Sequence, residues 1–573
     1  VTLAEARTEL DTLTAGLPWT SSRTRRSAIV APLQEDTLGN ARPLLWILLG
    51  AVMLLLVIAC VNVASLCLAR STPREAEMAI RAALGCSRWR QVRQLLVESL
   101  VLSLGGGFAG VGLALLITRL LLAVAPDNVI SAVDVGPNTT MLAFGFAVVV
   151  LSAIGFGVAP ALQFSRPNIE LTLRESGRSG TGSRRQTRTR NVLVVSQIAL
   201  ALILLVSAGL LIRSFSRLRA VPLGLTADRV MTFEVHLPQG RYEDPARRAT
   251  FHREFAERLA GLPGIRAAGA VSRLPVTGGY HTWGTGRADA PEGTDGPADQ
   301  RVVEGRYFEA LRIPLVRGRT FTDADDVRVP RRVVISQGLA RRLFDREDPI
   351  GKHLRVTGDP VEIIGVVGDV ASTARGVVRP LVYHSHRQFA DNRNWALTQV
   401  VAMEQGAPSV LDVARRALSA IDPALVLYRP RLLTDVIGSD VANERFALLL
   451  IASFALLALV LAAVGIYGVL SYAVTRRTRE MGIRLALGAP TRAVRGLIVG
   501  DGGRLAGTGV ILGLVGAWAA TRTLQSFLYE VSATDPVVYG VSALTIIAVA
   551  LLASWLPARA ATRVDPLEAV RVE

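Results

Sequence analysis

The sequence predicts a polytopic α-helical membrane protein with one large α+β domain outside the bilayer. Three observations lead there. Seven stretches are apolar over the roughly 20 residues that cross a hydrocarbon core. Three short connections between them are strongly basic. One long segment, 213–445, shows mixed helix and strand periodicities instead of unbroken apolar runs. The 573 residues are 50% apolar, with a mean hydropathy of +0.37 and a formal net charge of +17. That composition excludes a disordered chain. The length excludes a single small domain, and three cysteines are too few for a disulfide scaffold.

The apolar stretches are 44–69, 95–124, 140–164, 191–212, 446–474, 497–520 and 537–557. A strongly basic soluble protein suggests nucleic acid, so the position of the charge decides between two classes. Connections 70–93, 165–190 and 475–496 carry +4, +5 and +5, which is 14 of the 17 net charges. Short basic loops stay cytoplasmic, and seven alternating spans put all three on one side. Residues 1–43 and 213–445 then lie outside and 558–573 inside. The basicity is therefore a topology signal. The bilayer is the expected partner, and nucleic acid is not. Cys60 and Cys67 lie in the first span and Cys86 in a basic loop, as small apolar residues.

The chain repeats itself. Arg74 to Gly85 (REAEMAIRAALG) matches Arg477 to Gly488 (RTREMGIRLALG) at an offset of 403, which also pairs Glu98 with Asp501. At an offset of 397, Pro160 and Arg166 match Pro557 and Arg563. Residues 1–40 read like 408–440, as the tail of an outer domain. An earlier span and most of a first outer domain are expected to be missing from this chain, and duplication of this period is frequent in transporters.

In the outer segment, 231–237 alternates as a strand. Pro245 to Leu259 reads as a helix that ends near Gly261 and Pro263. Arg266 to Arg273 returns as a strand, and the Gly-, Asp- and Pro-rich stretch 277–300 reads as a loop. Residues 331–344 read as strand then helix. HLRV, VEIIGVVGDV and PLVYHSH read as strands, 396–403 as a strand and 408–421 as a helix. The expected domain has two lobes, one built from chain on both sides of the other.

REMGIRLALGA (479–489) and VVISQGLARRLF…DPIGKHLRV…EIIGVVGDV (333–370) resemble the MacB/FtsX-type permeases of ABC transporters. The duplicated layout is similar to the "orphan permease" subgroup first noted in acidobacteria. The resemblance implies two tandem FtsX-like units with eight spans and two outer domains, of which this chain carries seven spans and one two-lobed MacB-like extracytoplasmic domain, in an inner (plasma) membrane. It divides the chain into 1–43, the tail of a truncated first outer domain; 44–164, the first three-span unit; and 165–190, a basic cytoplasmic linker. Then follow 191–212, a span opening the second repeat; 213–445, the MacB-like domain; 446–557, the second three-span unit; and 558–573, a cytoplasmic tail.

The resemblance also implies a permease subunit working with separate cytoplasmic ABC ATPase subunits, whose ATP hydrolysis moves the outer domains for export or extraction. ATP is expected on that partner and no cofactor on this chain, since no G-x-x-x-x-G-K-[ST] loop occurs in it. A periplasmic partner, and a pseudo-dimer formed by the fused halves of the full-length chain, also follow. Two other readings stay open: a signalling or scaffold protein that transmits movement without moving a substrate, and an ATP-independent anchor.

By the resemblance, the ATPase-docking coupling helices contain Glu77, Met78, Ile80, Arg81, Leu84 and Gly85, and Glu480, Met481, Ile483, Arg484, Leu487 and Gly488. The other reading of these arginines is that they set topology and touch headgroups. Glu98 and Asp501 are acids near span ends. They read either as structural partners of Arg93, Arg495 or Arg504 or as a proton relay. Pro160 and Pro557 are expected to kink or end their spans. Asn62, Asn191 and Gln197 are candidates for bonds between helices, and glycines 105–107, 110, 112, 507, 509, 513 and 516 for close helix approach. His384 and His386 share a strand face at a spacing that suits a metal, yet read as plain surface. No metal site, catalytic residue or cofactor-binding residue is expected.

Overall fold

The computed structural model describes residues 2–15, 30, 42–71, 88–124, 139–164, 184–279, 281–291, 294–356, 358–389, 395–405, 410–476, 484, 487 and 490–561. The chain divides into two compact units, Val1–Ser214 with Phe446–Glu573, and Phe215–Arg445. It begins with helices α1 (Leu3–Ala15), α2 (Arg42–Ser71), α3 (Arg88–Val124), α4 (Thr139–Phe164) and α5 (Arg184–Arg219).

Beyond α5 comes one lobe of the outer unit. It is built from β1 (Val230–His236), α6 (Pro245–Ala260) and β2 (Ile265–Val271). The other lobe is then inserted: β3 (Thr282–Arg287), β4 (Gly296–Gly305), α7 (Tyr307–Ala310), β5 (Leu315–Gly318), β6 (Arg332–Ser336), α8 (Gln337–Phe344), β7 (His353–Val356), β8 (Asp359–Val367) and β9 (Leu381–Ser385). The chain returns to the first lobe with β10 (Ala396–Met403), α9 (Val410–Ser419), β11 (Tyr428–Leu432) and α10 (Leu433–Asp440). The expected two lobes are present, and the first is discontinuous in sequence.

In the first lobe the antiparallel order β11-β1-β10-β2 with α6 and α9 makes a βαββαβ unit of the ferredoxin-like kind. The reason is periodicity. Phe233 and Val235 alternate on β1, and Phe251, Phe255 and Leu259 on α6 and Val410, Ala414 and Leu418 on α9 recur every four residues. All of these side chains enter one core. Asp244 starts α6 by accepting a bond from the amide of Ala246 at 2.9 Å, with Pro245 at the first helical position.

In the second lobe the pairings β4–β3, β3–β7, β7–β8, β8–β6, β6–β9 and β9–β4 close a ring. Closure removes open edges from those strands. Ser336 ends β6 and caps α8, accepting bonds from the amides of Leu339 at 3.3 Å and Leu381 at 3.1 Å.

One expectation is overturned here. The Gly, Asp and Pro content of 277–300 predicts a loop, yet the stretch holds β3 and the first half of β4. Ring closure supplies what local propensity does not: Asp299 and Gln300 are buried and lie opposite Leu381 and Val382 of β9.

The chain then re-enters the helical unit with α11 (Ala442–Arg476), α12 (Thr491–Ala520) and α13 (Pro536–Ala561). Among the described residues six helices suit a bilayer by length and composition: Leu45–Ser65, Ser103–Leu121, Arg188–Arg219, Glu444–Tyr472, Thr491–Gln525 and Pro536–Arg559. The seventh expected span falls on α4, where Thr139–Leu151 forms a shorter apolar run.

The unit's core is a seam of small and branched residues. Ile451, Ala455, Ala458, Ala462 and Ile466 of α11 meet Val194, Ile198, Ala201 and Leu202 of α5. Leu456, Val515 and Leu552 are more than 60% exposed, as side chains facing acyl tails should be. Gly509 and Gly513 let α12 touch α5, since an added Cβ would lie 2.6 Å from Ile198 and 3.0 Å from the backbone of Ala199. Gly516 and Gly107 are also tight, against Ile203 and Val149. Glycines 105, 106, 110, 112 and 507 have no neighbour within 4 Å of an added Cβ among the described residues. Pro160 and Pro557 fall inside the last turns of helices α4 and α13.

Gly269 of β2 offers a direct test of the lobe junction. A Cβ there would sit 2.4 Å from the amide nitrogen of Tyr307 and 2.8 Å from the carbonyl oxygen of Glu304. Backbone cannot yield as a side-chain tip can. Gly269→Ala is expected to cost about 3 kcal/mol, read as a lower denaturation midpoint of the detergent-solubilised chain.

Candidate functional site

Most expected docking residues lie outside the described residues: Glu77, Met78, Ile80, Arg81, Leu84 and Gly85, and Glu480, Met481, Ile483 and Gly488. Arg484 and Leu487 are described. Both are exposed, and Leu487 is 82% accessible. Glu98, half-buried on α3, accepts a bond from Nε2 of Gln94 at 3.3 Å. Asp501 faces Arg504 at 3.8 Å, one helical turn away.

A polar junction joins three helices. Nδ2 of Asn62 on α2 donates to the carbonyl of Leu461 on α11 at 2.9 Å, and Nε2 of Gln197 on α5 donates to the same oxygen at 3.4 Å. Gly465 makes room: a Cβ there would lie 2.2 Å from Oε1 of Gln197 and 2.8 Å from Oδ1 of Asn62. Nearby, the guanidinium of Arg190 stacks 3.9 Å above the ring of Tyr472. The junction ties α2 to α5 and α11, the helices that flank the outer domain in sequence.

Two further joints were not singled out from sequence. Arg213, near the end of α5, pairs with Asp535 at 2.7 Å, and Oγ of Ser214 accepts a bond from the amide of Tyr529 at 2.8 Å. Asp535 also caps α13, accepting from the amides of Val537 and Val538 at 3.1 and 3.2 Å. The Asp-Pro pair at 535–536 carries that cap signal in the sequence. The Arg213 partnership spans more than 300 residues and has no local signal.

In the outer unit Asp369, which closes the EIIGVVGDV stretch, is the hub. Its carboxylate accepts from the amide of Gly338 at 2.6 Å, at the start of α8, and from Arg341 at 2.7 Å. Its carbonyl leaves no space beside Gly224 (φ +71°), where a Cβ would come within 1.9 Å. Gly224 belongs to the segment that follows α5. The amide of Ala371 donates to Leu223 at 3.0 Å, that of Ala374 donates to Asp440 at 3.0 Å, and Arg375 pairs with Glu444 of α11. The loop 369–375 thus holds both ends of the outer unit's chain.

The structure corrects the reading of His384 and His386 as plain surface. Both are buried, because β9 runs between β4 and β6 inside the closed ring. Nε2 of His384 meets Oε1 of Gln300 at 2.8 Å, and Nε2 of Gln300 donates to Thr285 at 3.1 Å. His386 stands edge-on to His252 with ring centroids 5.0 Å apart, and its Nδ1 is 3.9 Å from Oε2 of Glu304. Glu304 is held by Arg387 at 3.1 Å. Burial lowers the pKa of both histidines from 6.5 to about 4, helped by Arg331 at His384 and by Arg248 and Arg387 at His386.

Apolar spanning helices and a large two-lobed domain between two of them define a multi-pass inner-membrane protein with a large periplasmic domain. Family comparison narrows the class. The MacB-like periplasmic core domain matches residues 192–409, and the FtsX-like permease C-terminal domain matches twice, at 47–169 and 452–566. The chain belongs to the MacB/FtsX-type permeases.

It is 26% identical over 341 residues to the ABC transporter permease YknZ of Bacillus subtilis (strain 168), covering 57% of this chain and 81% of that one. It is 27% identical over 343 residues to the macrolide export ATP-binding/permease protein MacB of Azoarcus sp. (strain BH72), covering 57% of this chain and 48% of that protein. The chain therefore spans about half the length of such ATP-binding/permease relatives. The periplasmic region of MacB from Actinobacillus actinomycetemcomitans aligns over 37% of this chain and 92% of that one, with 14% identity and a TM-score of 0.27.

Two measurements test this geometry. Asp535→Asn keeps the cap and removes the charge, so it should cost about 1 kcal/mol, whereas Asp535→Ala loses both and should cost roughly 2 to 3. Heat unfolding in detergent should rank wild type above D535N and D535N above D535A. The second concerns pH. Between about pH 6.5 and about pH 4 the unfolded chain binds protons that buried His384 and His386 do not. Their contribution to stability is thus present at neutral pH and lost as pH falls through that window. His384→Gln should flatten this loss in unfolding titrations, and an unchanged slope would contradict the assignment.

Proposed function

We propose that this chain is the permease subunit of an ABC transporter, coupling ATP hydrolysis on a separate cytoplasmic ATPase to movement of its periplasmic domain for export or extraction of a substrate. The observation that carries the reading is the architecture. Both ends of the periplasmic domain are spanning helices, α5 and α11, and a single loop, 369–375, contacts the chain at both ends. A push on those helices reaches the domain without any pore. The named functions of the relatives, an ABC transporter permease and a macrolide exporter, support the same class.

On this proposal the chain has seven spans, with α4 as the seventh, in two tandem units divided as the sequence reading sets out. The two FtsX-like matches support a pseudo-dimer of fused halves. The segments around Glu77–Gly85 and Glu480–Gly488 dock on the ATPase as coupling helices, with Arg81 and Arg484 as the charged contacts and apolar neighbours as anchors. The exposure of Arg484 and Leu487 supports docking.

Arg484→Glu reverses charge at a solvent-facing position and leaves the core intact. The variant should insert normally yet lose most of the co-purifying ATPase in mild detergent. Co-purification at wild-type level would remove the docking assignment. ATPase stimulation without movement of any substrate would instead favour a mechanotransmission role.

A further inference from the structure

The outer domain also carries an open groove of about 620 Å³ along α7 and the turn after it. Its floor is apolar. Phe308 and Ile313 are buried, Pro314 lies beside them, and Leu315 remains 47% exposed. Its rim is cationic, with Arg266, Arg306 and Arg312 all facing it and Glu309 as the sole acid in the lining. That acid is already engaged, since Nε of Arg306 donates to it at 2.7 Å. Neither Arg266 nor Arg312 forms an ion pair among the described residues. Arg266 has only the carbonyl of Ala310, at 3.3 Å.

This arrangement is costly to the protein. Arg312 sits at φ 53°, in the left-handed region that side-chain-bearing residues seldom enter. Burial and the neighbouring guanidiniums of Arg312 and Arg229 lower the pKa of Arg266, so the charges feel one another. Like charges gathered beside an apolar floor destabilise the empty groove and focus positive potential in it. An oxyanion bound between two guanidinium forks would relieve the repulsion, and the volume suits a small ligand.

We propose that this groove binds an anionic amphiphile, with its phosphate or carboxylate head on Arg266 and Arg312 and its hydrocarbon body along Phe308, Ile313 and Leu315. An anionic lipid and a free alkyl phosphate or carboxylate present the same chemistry. The site does not depend on the ATPase reading, and its ligand need not be a transported substrate.

The test uses the full chain in nanodiscs of phosphatidylcholine, titrated calorimetrically with hexyl phosphate. Saturable binding is expected, with hexanol and inorganic phosphate each at least about tenfold weaker, because each lacks half of the recognition. The double substitution R266Q/R312Q should weaken hexyl phosphate by at least about tenfold, while Arg416→Gln, an exposed charge on α9, should not change it. Because R312Q removes repulsion, its unfolding temperature should not fall below wild type.

Should the double variant fail to fold, Leu315→Ser decides. It should weaken hexyl phosphate at least about threefold while leaving inorganic phosphate unchanged. Nanodiscs containing phosphatidylglycerol separate the two sources. Loss of hexyl phosphate binding there identifies membrane lipid as the natural occupant, and retained binding identifies a free amphiphile. Equal binding by wild type and R266Q/R312Q, or inorganic phosphate binding as tightly as hexyl phosphate, would overturn the proposal.

Discussion

Strand β4 is the element on which the outer domain hangs. It pairs with β2 of the first lobe through Gly305, Glu304 and Val303, and with β3 and β9 of the second. Its pairing with β2 is the seam where the two lobes' strands join into one sheet. Its burial has an unusual chemistry, because Asp299, Gln300, Arg301 and Glu304 are all nearly inaccessible. Buried polar groups need partners. Gln300 finds Thr285 and His384, Glu304 finds Arg387, and Asp299 accepts from the amide of His281. A strand held this way has a specified register, since sliding it by one residue would exchange its two faces.

The helical unit obeys a different constraint. In hydrocarbon every backbone polar group must be satisfied within the helix, so side-chain shape decides packing. Alanines on α11 and glycines on α12 bring backbones close to α5. The polar side chains present, Asn62 and Gln197, converge on one carbonyl beside Gly465. This junction attaches α2 to α5 and α11, the two helices next to the outer domain in sequence.

The outer loop 369–375 holds both chain ends of the outer unit. Asp369 holds the start of α8, its carbonyl packs on Gly224, and Arg375 holds Glu444. These contacts are short and directional, and several involve charge, which makes them stiffer than apolar contacts of equal area. The groove at Arg266 and Arg312 lies on the same unit, so a ligand there would travel with it.

Much of this was legible in sequence. Six long apolar helices, the α6 boundaries and the discontinuous lobe follow from local signals: apolar length, helical spacing, capping residues and Gly/Pro punctuation. The readings that failed were those in which distant chain overrode composition. The Gly-rich stretch at 277–300 became strand because β9 closes a ring on it. His384 and His386 went inside because the same ring leaves β9 no free face. Glycines 105, 106, 110, 112 and 507 look like packing glycines, yet only the neighbouring helix decides which are used. By itself the sequence determined which segments are long apolar helices and which belong to a mixed outer domain, since transfer free energy and periodicity are properties of adjacent residues. Tertiary structure alone decided which charges meet, such as Arg213 with Asp535, and which are left to gather at a groove, because that depends on residues hundreds of positions apart.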